Sequence, residues 1–67
     1  MIKRMTYAVA IEKLRKRMLL TQTELADLLG VSFGTVNRWE SGKYEPTMKM
    51  KRKLKPLFEK YDIEVNE

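Results

Sequence analysis

Four neighbouring residues near the middle of the chain, Phe33, Gly34, Asn37 and Arg38, are suited to contact the edges of nucleic-acid bases. The Arg38 guanidinium can donate two parallel hydrogen bonds to O6 and N7 of guanine. The Asn37 amide can read adenine through N6 and N7, or hold a phosphate. The Phe33 ring suits a thymine methyl group. Gly34 lets the backbone approach a groove closely, although a glycine is also simply tolerated at an exposed site. Reading bases requires that all four residues share the outer face of one helix.

The composition gives no support for catalysis, metal binding or insertion into a membrane. The 67 residues include no cysteine and no histidine, which removes thiolates and the commonest general base and metal ligand. Without clustered carboxylates as well, no catalytic or metal constellation can be drawn, and we predict a protein that is not an enzyme and uses no cofactor or metal. No apolar run approaches the roughly 20 residues that span a bilayer. The N-terminus also lacks a signal-peptide core, so the expectation is a soluble cytoplasmic protein.

Two short helices joined by a turn of about three residues are predicted within residues 22–41. Thr21 and Glu24 form a capping-box pattern, and Gly30 can adopt the left-handed conformation that ends the first helix. Ser32 is a good N-cap for the second helix. The inward positions are apolar: Leu25, Ala26, Leu29, Val31, Val36 and Trp39. This layout is that of a helix-turn-helix, and the alternative is a plain helical hairpin in a small bundle.

The flanking segments predict further helices around the same core. An apolar stripe follows Thr6 to about Met18, and another follows Thr47. Proline interrupts helices, so we expect the fourth helix, which begins after Thr47, to stop near Leu54. A short fifth helix is then expected from Pro56 to Tyr61, because proline is tolerated in a first turn. The predicted fold is all-α, a compact bundle of four to five short helices in a single domain over residues 1–67. Residues 1–5 are expected to be frayed or loosely packed, and residues 62–67 to be either extended or disordered.

The net charge of +5 is unevenly distributed. Residues 1–20 and residues 43–55 each carry +5, whereas residues 21–42 carry −2 and residues 56–67 carry −3. Basic segments on both sides of the central unit fit contact with phosphates. For any single lysine, a solvated helix face is the commoner role. A basic amphipathic membrane binder is a weaker interpretation, because the core uses the apolar stripes.

The string from Gln22 through Trp39-Glu40-Ser41-Gly42-Lys43 to Pro46 resembles the phage-repressor and Cro-like helix-turn-helix family, also called the XRE family. The resemblance extends over roughly residues 8–60 and implies a lambda repressor-like fold with its third helix in the major groove. In this family the positions that match Phe33, Gly34 and Arg38 usually read bases. In the family the positions of Phe33 and Gly34 are often polar. This chain departs from that pattern, so the resemblance does not indicate its operator sequence.

The resemblance also implies two further roles. The residue that matches Gln22 contacts phosphate, and an arginine that matches Arg15 pairs with the carboxylate at Glu40. Two exposed charges without contact are the alternative for that pair. Independently of the family, free N–H groups at helix N-termini attract phosphate, and a lysine and a tyrosine just past the recognition helix can flank the groove. The predicted phosphate-contacting residues are Thr21, Gln22, Ser32, Thr35, Lys43 and Tyr44, with Lys49 and Arg52 as weaker candidates.

The leading hypothesis is a sequence-specific regulator, a repressor that binds double-stranded DNA at an operator. The alternative is a DNA-binding antitoxin or another module whose main partner is a protein. One recognition helix reads only about four or five base pairs, so we predict a homodimer on a palindromic operator. The alternatives are a dimer that exists in solution and one that forms only on DNA. Its interface is predicted from an apparent surplus of apolar residues near the C-terminus: Leu57, Phe58, Tyr61, Ile63 and Val65.

Overall fold

A computed structural model describes residues 5–65, which form four helices. They are α1 (Tyr7–Arg17), α2 (Gln22–Leu29), α3 (Phe33–Glu40) and α4 (Met48–Lys60). Within these residues the only β pairing is an isolated parallel bridge between Met5 and Val65. The all-α prediction is confirmed, and α2 and α3 form the helix-turn-helix.

Each helix begins at a hydroxyl side chain that satisfies a free backbone N–H. The N-caps are Thr6, Thr21, Ser32 and Thr47. At α2 the capping box is complete, because the Thr21 hydroxyl accepts from the Glu24 N–H at 3.1 Å and the Glu24 carboxylate accepts from the Thr21 N–H at 2.8 Å. Gly30 ends α2 with a φ of 75°, and Val31 donates its N–H back to Ala26 across the turn. The turn therefore adopts the predicted geometry for local reasons.

The core draws on all four helices and on the segment after α4. α2 packs against α3, and α1 packs against both α3 and α4. Because α3 contacts two other helices through one face, its opposite face is left open. The buried residues are Tyr7, Ala10, Ile11, Leu14, Leu25, Ala26, Leu29, Val36, Trp39, Met50, Leu54, Phe58 and Ile63.

The predicted break at Pro56 is wrong. α4 continues through this proline to Lys60, so there is no separate fifth helix from Pro56 to Tyr61. A proline inside a helix costs about 3 kcal/mol. Pro56 lies on the exposed side of α4, however, while Leu54 and Phe58 are buried on the other side. Burying each of those side chains contributes about 1.5–3 kcal/mol, enough to hold the helix together past the proline.

The segment after α4 turns at residues 61–62 and then runs beside Met5 over residues 63–65. Asp62 turns the chain with a φ of 58°, Ile63 is buried, and the Met5 N–H donates to the Glu64 carbonyl at 3.2 Å. The Arg17 guanidinium donates to the Tyr61 and Asp62 carbonyls and thereby ties this turn to α1. The loose packing expected at Met5 is not found, because Met5 packs against the core. Of the two alternatives predicted for the tail, the structure has the extended one at residues 63–65. Residues 1–4 and 66–67 lie outside the described part of the chain.

The apolar residues assigned to a dimer interface lie in or against the protein's own core. Phe58 and Ile63 are buried, and Leu57, Tyr61 and Val65 are half-buried against the same cluster. The Phe58 and Tyr7 rings pack with their centroids 6.2 Å apart. Phe58 and Ile63 are therefore used by the core, whereas a dimer interface at the half-buried Leu57, Tyr61 and Val65 stays a prediction.

Candidate nucleic-acid interface

The outer face of α3 presents the four residues expected to read bases. Phe33, Asn37 and Arg38 are exposed and Gly34 is half-buried, whereas Val36 and Trp39 face the core. The pairs 33–37 and 34–38 are each one helical turn apart, so they form two adjacent rows on one surface. Phe33 leaves 52% of its surface in solvent although it is a large apolar side chain.

The Arg38 side chain lies across Gly34. A Cβ atom placed on Gly34 would be 3.7 Å from both terminal guanidinium nitrogens of Arg38. That distance is an ordinary van der Waals contact. The guanidinium therefore packs over the glycine, but an alanine at this position would also fit. Among the described residues no carboxylate pairs with Arg38, whose five donors remain available for a ligand.

The helix N-termini expected to hold phosphates are partly occupied by the protein itself. The Thr21 N–H is bound to Glu24, so phosphate at α2 would have to use the next N–H groups along the helix. Ser32 accepts from the Thr35 N–H at 3.2 Å, and the Ser32 and Thr35 hydroxyls share a hydrogen bond of 2.9 Å. Hydroxyl groups can still donate to a phosphate while they accept from the backbone.

Lys43 and Tyr44 lie in the loop that follows α3. Both are exposed, and Tyr44 keeps 63% of its surface in solvent. The Lys43 N–H donates to the Arg38 carbonyl at 3.1 Å, which holds the start of the loop against the end of α3. Tyr44 lines a shallow groove together with Thr35 and Arg38. The structure thus places the loop residues at one end of the same surface as the α3 face.

Arg15 and Glu40 form a two-point ion pair between α1 and α3. Nε of Arg15 lies 2.8 Å from Oε2 of Glu40, and Nη2 of Arg15 lies 3.0 Å from Oε1. The side chains expose only 15% and 6% of their surfaces. The hydrogen bonds to Glu40 raise the pKa of the Arg15 guanidinium above its ordinary value, against the opposing effect of burial. The remaining terminal nitrogen of Arg15 donates to the Leu20 carbonyl at 3.1 Å.

The polar network extends from this pair to the exposed face of α3. Nε2 of Gln22 donates to Oε1 of Glu40 at 3.1 Å, and Nδ2 of Asn37 donates to Oε1 of Gln22 at 3.3 Å. The sequence indicated Gln22 and Asn37 separately but not their contact. No spacing rule connects residues on two different helices, so no local signal could have revealed it.

Lys53 is a residue whose role the sequence did not indicate. Its Nζ donates to the Leu29 carbonyl at 3.1 Å, at the C-terminal end of α2, where a positive charge is favourable. Lys49 and Arg52, the weaker phosphate candidates, are exposed on the same helix α4. Lys51 is instead engaged with Glu45 at 3.3 Å and lies over the Tyr7 ring.

A short helix, a tight turn and a second helix with an open polar face define a helix-turn-helix DNA-binding domain. A family model described as helix-turn-helix matches residues 11–54, and the chain belongs to this family, in its phage-repressor and Cro-like branch. The family consists of DNA-binding proteins of the transcription-regulator type. Neither a curated protein nor a solved structure matches the chain with significance.

Two negative findings apply to residues 5–65. No helix in this range combines the length and the apolar character needed to cross a membrane. The same range contains no group of three or more acidic side chains placed to hold a metal ion.

Proposed function

We propose that this protein is a sequence-specific double-stranded DNA-binding regulator, a repressor that occupies an operator with α3 in the major groove. The observation that carries the proposal is the open face of α3, where Phe33, Asn37 and Arg38 stand together without an acidic partner. The Arg15–Glu40 pair anchors the C-terminal end of α3 to α1. A rigid helix that presents a guanidinium, an amide and an apolar ring is the arrangement that direct readout requires.

Base and phosphate contacts are divided between different elements in this proposal. Phe33, Gly34, Asn37 and Arg38 would meet base edges. The phosphate contacts would come from the surrounding helix ends and from the loop after α3, namely Thr21, Gln22, Ser32, Thr35, Lys43 and Tyr44. Phosphate contacts set register and affinity, whereas base contacts set sequence preference. In this proposal the protein acts by binding alone, without catalysis or a cofactor. It acts on DNA in the cytoplasm.

Two copies would act together on a palindromic operator. The readout of one α3, about four or five base pairs, is too short to single out a site among ~10⁶–10⁹ competitors. Half-sites about 34 Å apart would place two recognition helices on the same side of the duplex. Because Phe58 and Ile63 are used by the core, we propose that the homodimer assembles on DNA through small contacts.

Selection of bound sequences from a random DNA pool, followed by footprinting, tests the function. A single enriched palindrome, with two proteins bound per duplex, is the expected outcome. The variant Arg38→Ala should lose the enrichment, whereas Lys55→Ala, which removes one charge from an exposed site on α4, should keep it. Binding without any enriched sequence would contradict the proposal, and protection of one half-site by one protein would contradict the dimer.

A groove on another side of the molecule favours a second candidate function, that of an antitoxin or other protein-binding module. Its volume is about 340 Å³, and no residue of α2 or α3 lines it. Three basic residues line it, Lys51, Arg52 and Lys55, against one acidic residue, Glu59, and its apolar lining includes Met48 and Phe58. Such a groove suits a partner segment with acidic and apolar side chains. Recovery of one acidic protein from the native host by the parent, but not by an Arg52→Glu, Lys55→Glu variant, would support this function; equal recovery by both would refute it.

A further inference from the structure

Four side chains form a continuous hydrogen-bonded chain from the ion pair to the exposed face of α3. Arg15 donates to Glu40, Glu40 also accepts from Gln22 at 3.1 Å, and Gln22 accepts from Asn37 at 3.3 Å. The first two members are largely buried, Gln22 is half-buried and Asn37 is exposed. The chain of hydrogen bonds therefore begins at a largely buried ion pair and ends at the surface proposed to meet DNA.

The direction of every hydrogen bond in this chain follows from its buried end. A guanidinium can only donate and an ionised carboxylate can only accept. Gln22 must therefore turn its NH₂ group to Glu40, which leaves its carbonyl oxygen for Asn37. Asn37 must in turn use its own NH₂ group. An isolated amide has two nearly equivalent orientations, and here the carboxylate of Glu40 selects one of them for both amides.

We propose that Glu40 and Gln22 are positioning residues that orient the Asn37 amide for adenine. This inference rests on the proposed function, because it concerns how the same α3 face reads a base. With one N–H bound to Gln22, Asn37 retains Oδ1 and its other N–H. Adenine offers an N6 donor and an N7 acceptor that match this pair, whereas guanine offers two acceptors that would oppose Oδ1. Holding the amide in advance also removes the cost of ordering it on binding.

The test compares the parent with three variants and a control on the selected site and on sites substituted at each base pair in turn. The variants are Gln22→Met, Asn37→Ala, and the two combined. Gln22→Met keeps the length of the side chain but breaks the hydrogen-bonded chain from Glu40 to Asn37, which we call the relay. Thr23→Ala, on the exposed neighbouring position of α2, is the control. We expect Gln22→Met to lower the preference for adenine at one base pair by roughly two- to tenfold, the effect of freeing one side chain. The double variant should match Asn37→Ala at that base pair, and the control should match the parent.

Equal loss of affinity on every sequence would make Gln22 a phosphate contact alone and would overturn the relay. A measurement on the free protein addresses the relay without DNA. Solvent exchange of the Asn37 side-chain NH₂ protons, observed by NMR, should be slower in the parent than in Gln22→Met. Equal exchange would overturn the inference even if DNA reading holds. Slowed exchange in a parent that shows no sequence preference would instead overturn the proposed function.

Discussion

Nζ of Lys53 in α4 lies 3.1 Å from the carbonyl oxygen of Leu29, at the last residue of α2. The last carbonyls of a helix have no partner within the helix and carry partial negative charge. Lys53 therefore closes the end of α2 next to the turn, although 24 residues separate the two positions. A Cβ on Gly30 would come 3.9 Å from the same Nζ, so the lysine also packs against the turn itself.

Lys53→Met is expected to destabilise the protein by about 0.5 kcal/mol, because an exposed lysine at a helix end contributes modestly. Lys55→Met on the same helix is the matched control, since Lys55 is exposed and not bonded to a helix end. Chemical denaturation of both variants checks the difference. Identical unfolding midpoints would show that the contact with Leu29 does not stabilise the turn.

The two glycines of the central unit should respond to substitution in opposite directions. Gly30 has a φ of 75°, where a β-branched residue is strained, so Gly30→Val should lose more than about 1 kcal/mol. Gly34 lies inside α3 with room for a methyl group, so Gly34→Ala should gain about 0.5–1 kcal/mol. Thermal melts of both variants measure the signs. A Gly30→Val protein that melts like the parent would refute the geometry of the turn.

Breaking the Arg15–Glu40 pair at one side should cost more than removing both partners. Each of Arg15→Met and Glu40→Leu leaves a charge that is largely buried and unpaired, at a cost of about 2–4 kcal/mol. The double change should cost clearly less than the two single costs added together. A double-mutant cycle from denaturant melts measures the coupling.

The exposed pair of Lys16 and Glu12 provides the control for that cycle. Its atoms lie 3.6 Å apart, and the two side chains expose 66% and 48% of their surfaces. Its coupling should fall near the few tenths of a kcal/mol typical of exposed pairs on a helix. A coupling at Arg15–Glu40 no larger than this would mean that burial adds nothing to the pair.

The features that could be predicted from the sequence are those that depend on near neighbours in the chain. The Thr21–Glu24 capping box and the Gly30 turn each involve a few consecutive residues, so local chemistry decides them. Pro56 shows the limit of local rules, because the burial of Leu54 and Phe58 outweighs the lost hydrogen bond. Phe58 and Ile63 were mistaken for part of an apolar surplus because the sequence does not show that they close the core.

The candidate site divides in the same way. Which residues face outward on α3 follows from helical periodicity, and the structure places Phe33, Asn37 and Arg38 accordingly. The contact between Gln22 and Asn37 depends on how α2 crosses α3, which periodicity does not determine. The same is true of Lys53, whose partner belongs to a different helix.

Lys43 should affect affinity without affecting sequence preference. It is exposed at the end of α3, and a phosphate contact from it would release one counterion. Lys43→Ala should therefore weaken binding to preferred and random DNA alike and reduce the slope of log affinity against log salt by about 1. Titrations at several salt concentrations measure this slope. A loss confined to the preferred site would move Lys43 to the base-reading group.

The central claim is that the exposed face of α3 reads base sequence, and Arg38 tests it most directly. Competition binding of Arg38→Ala and of the parent, on the selected site and on random DNA at the same salt concentration, is the measurement. We predict a loss of about 1–3 kcal/mol on the selected site and little change on random DNA, because a bidentate base contact contributes to discrimination. Equal losses on both DNAs would contradict the claim and leave Arg38 as a phosphate contact.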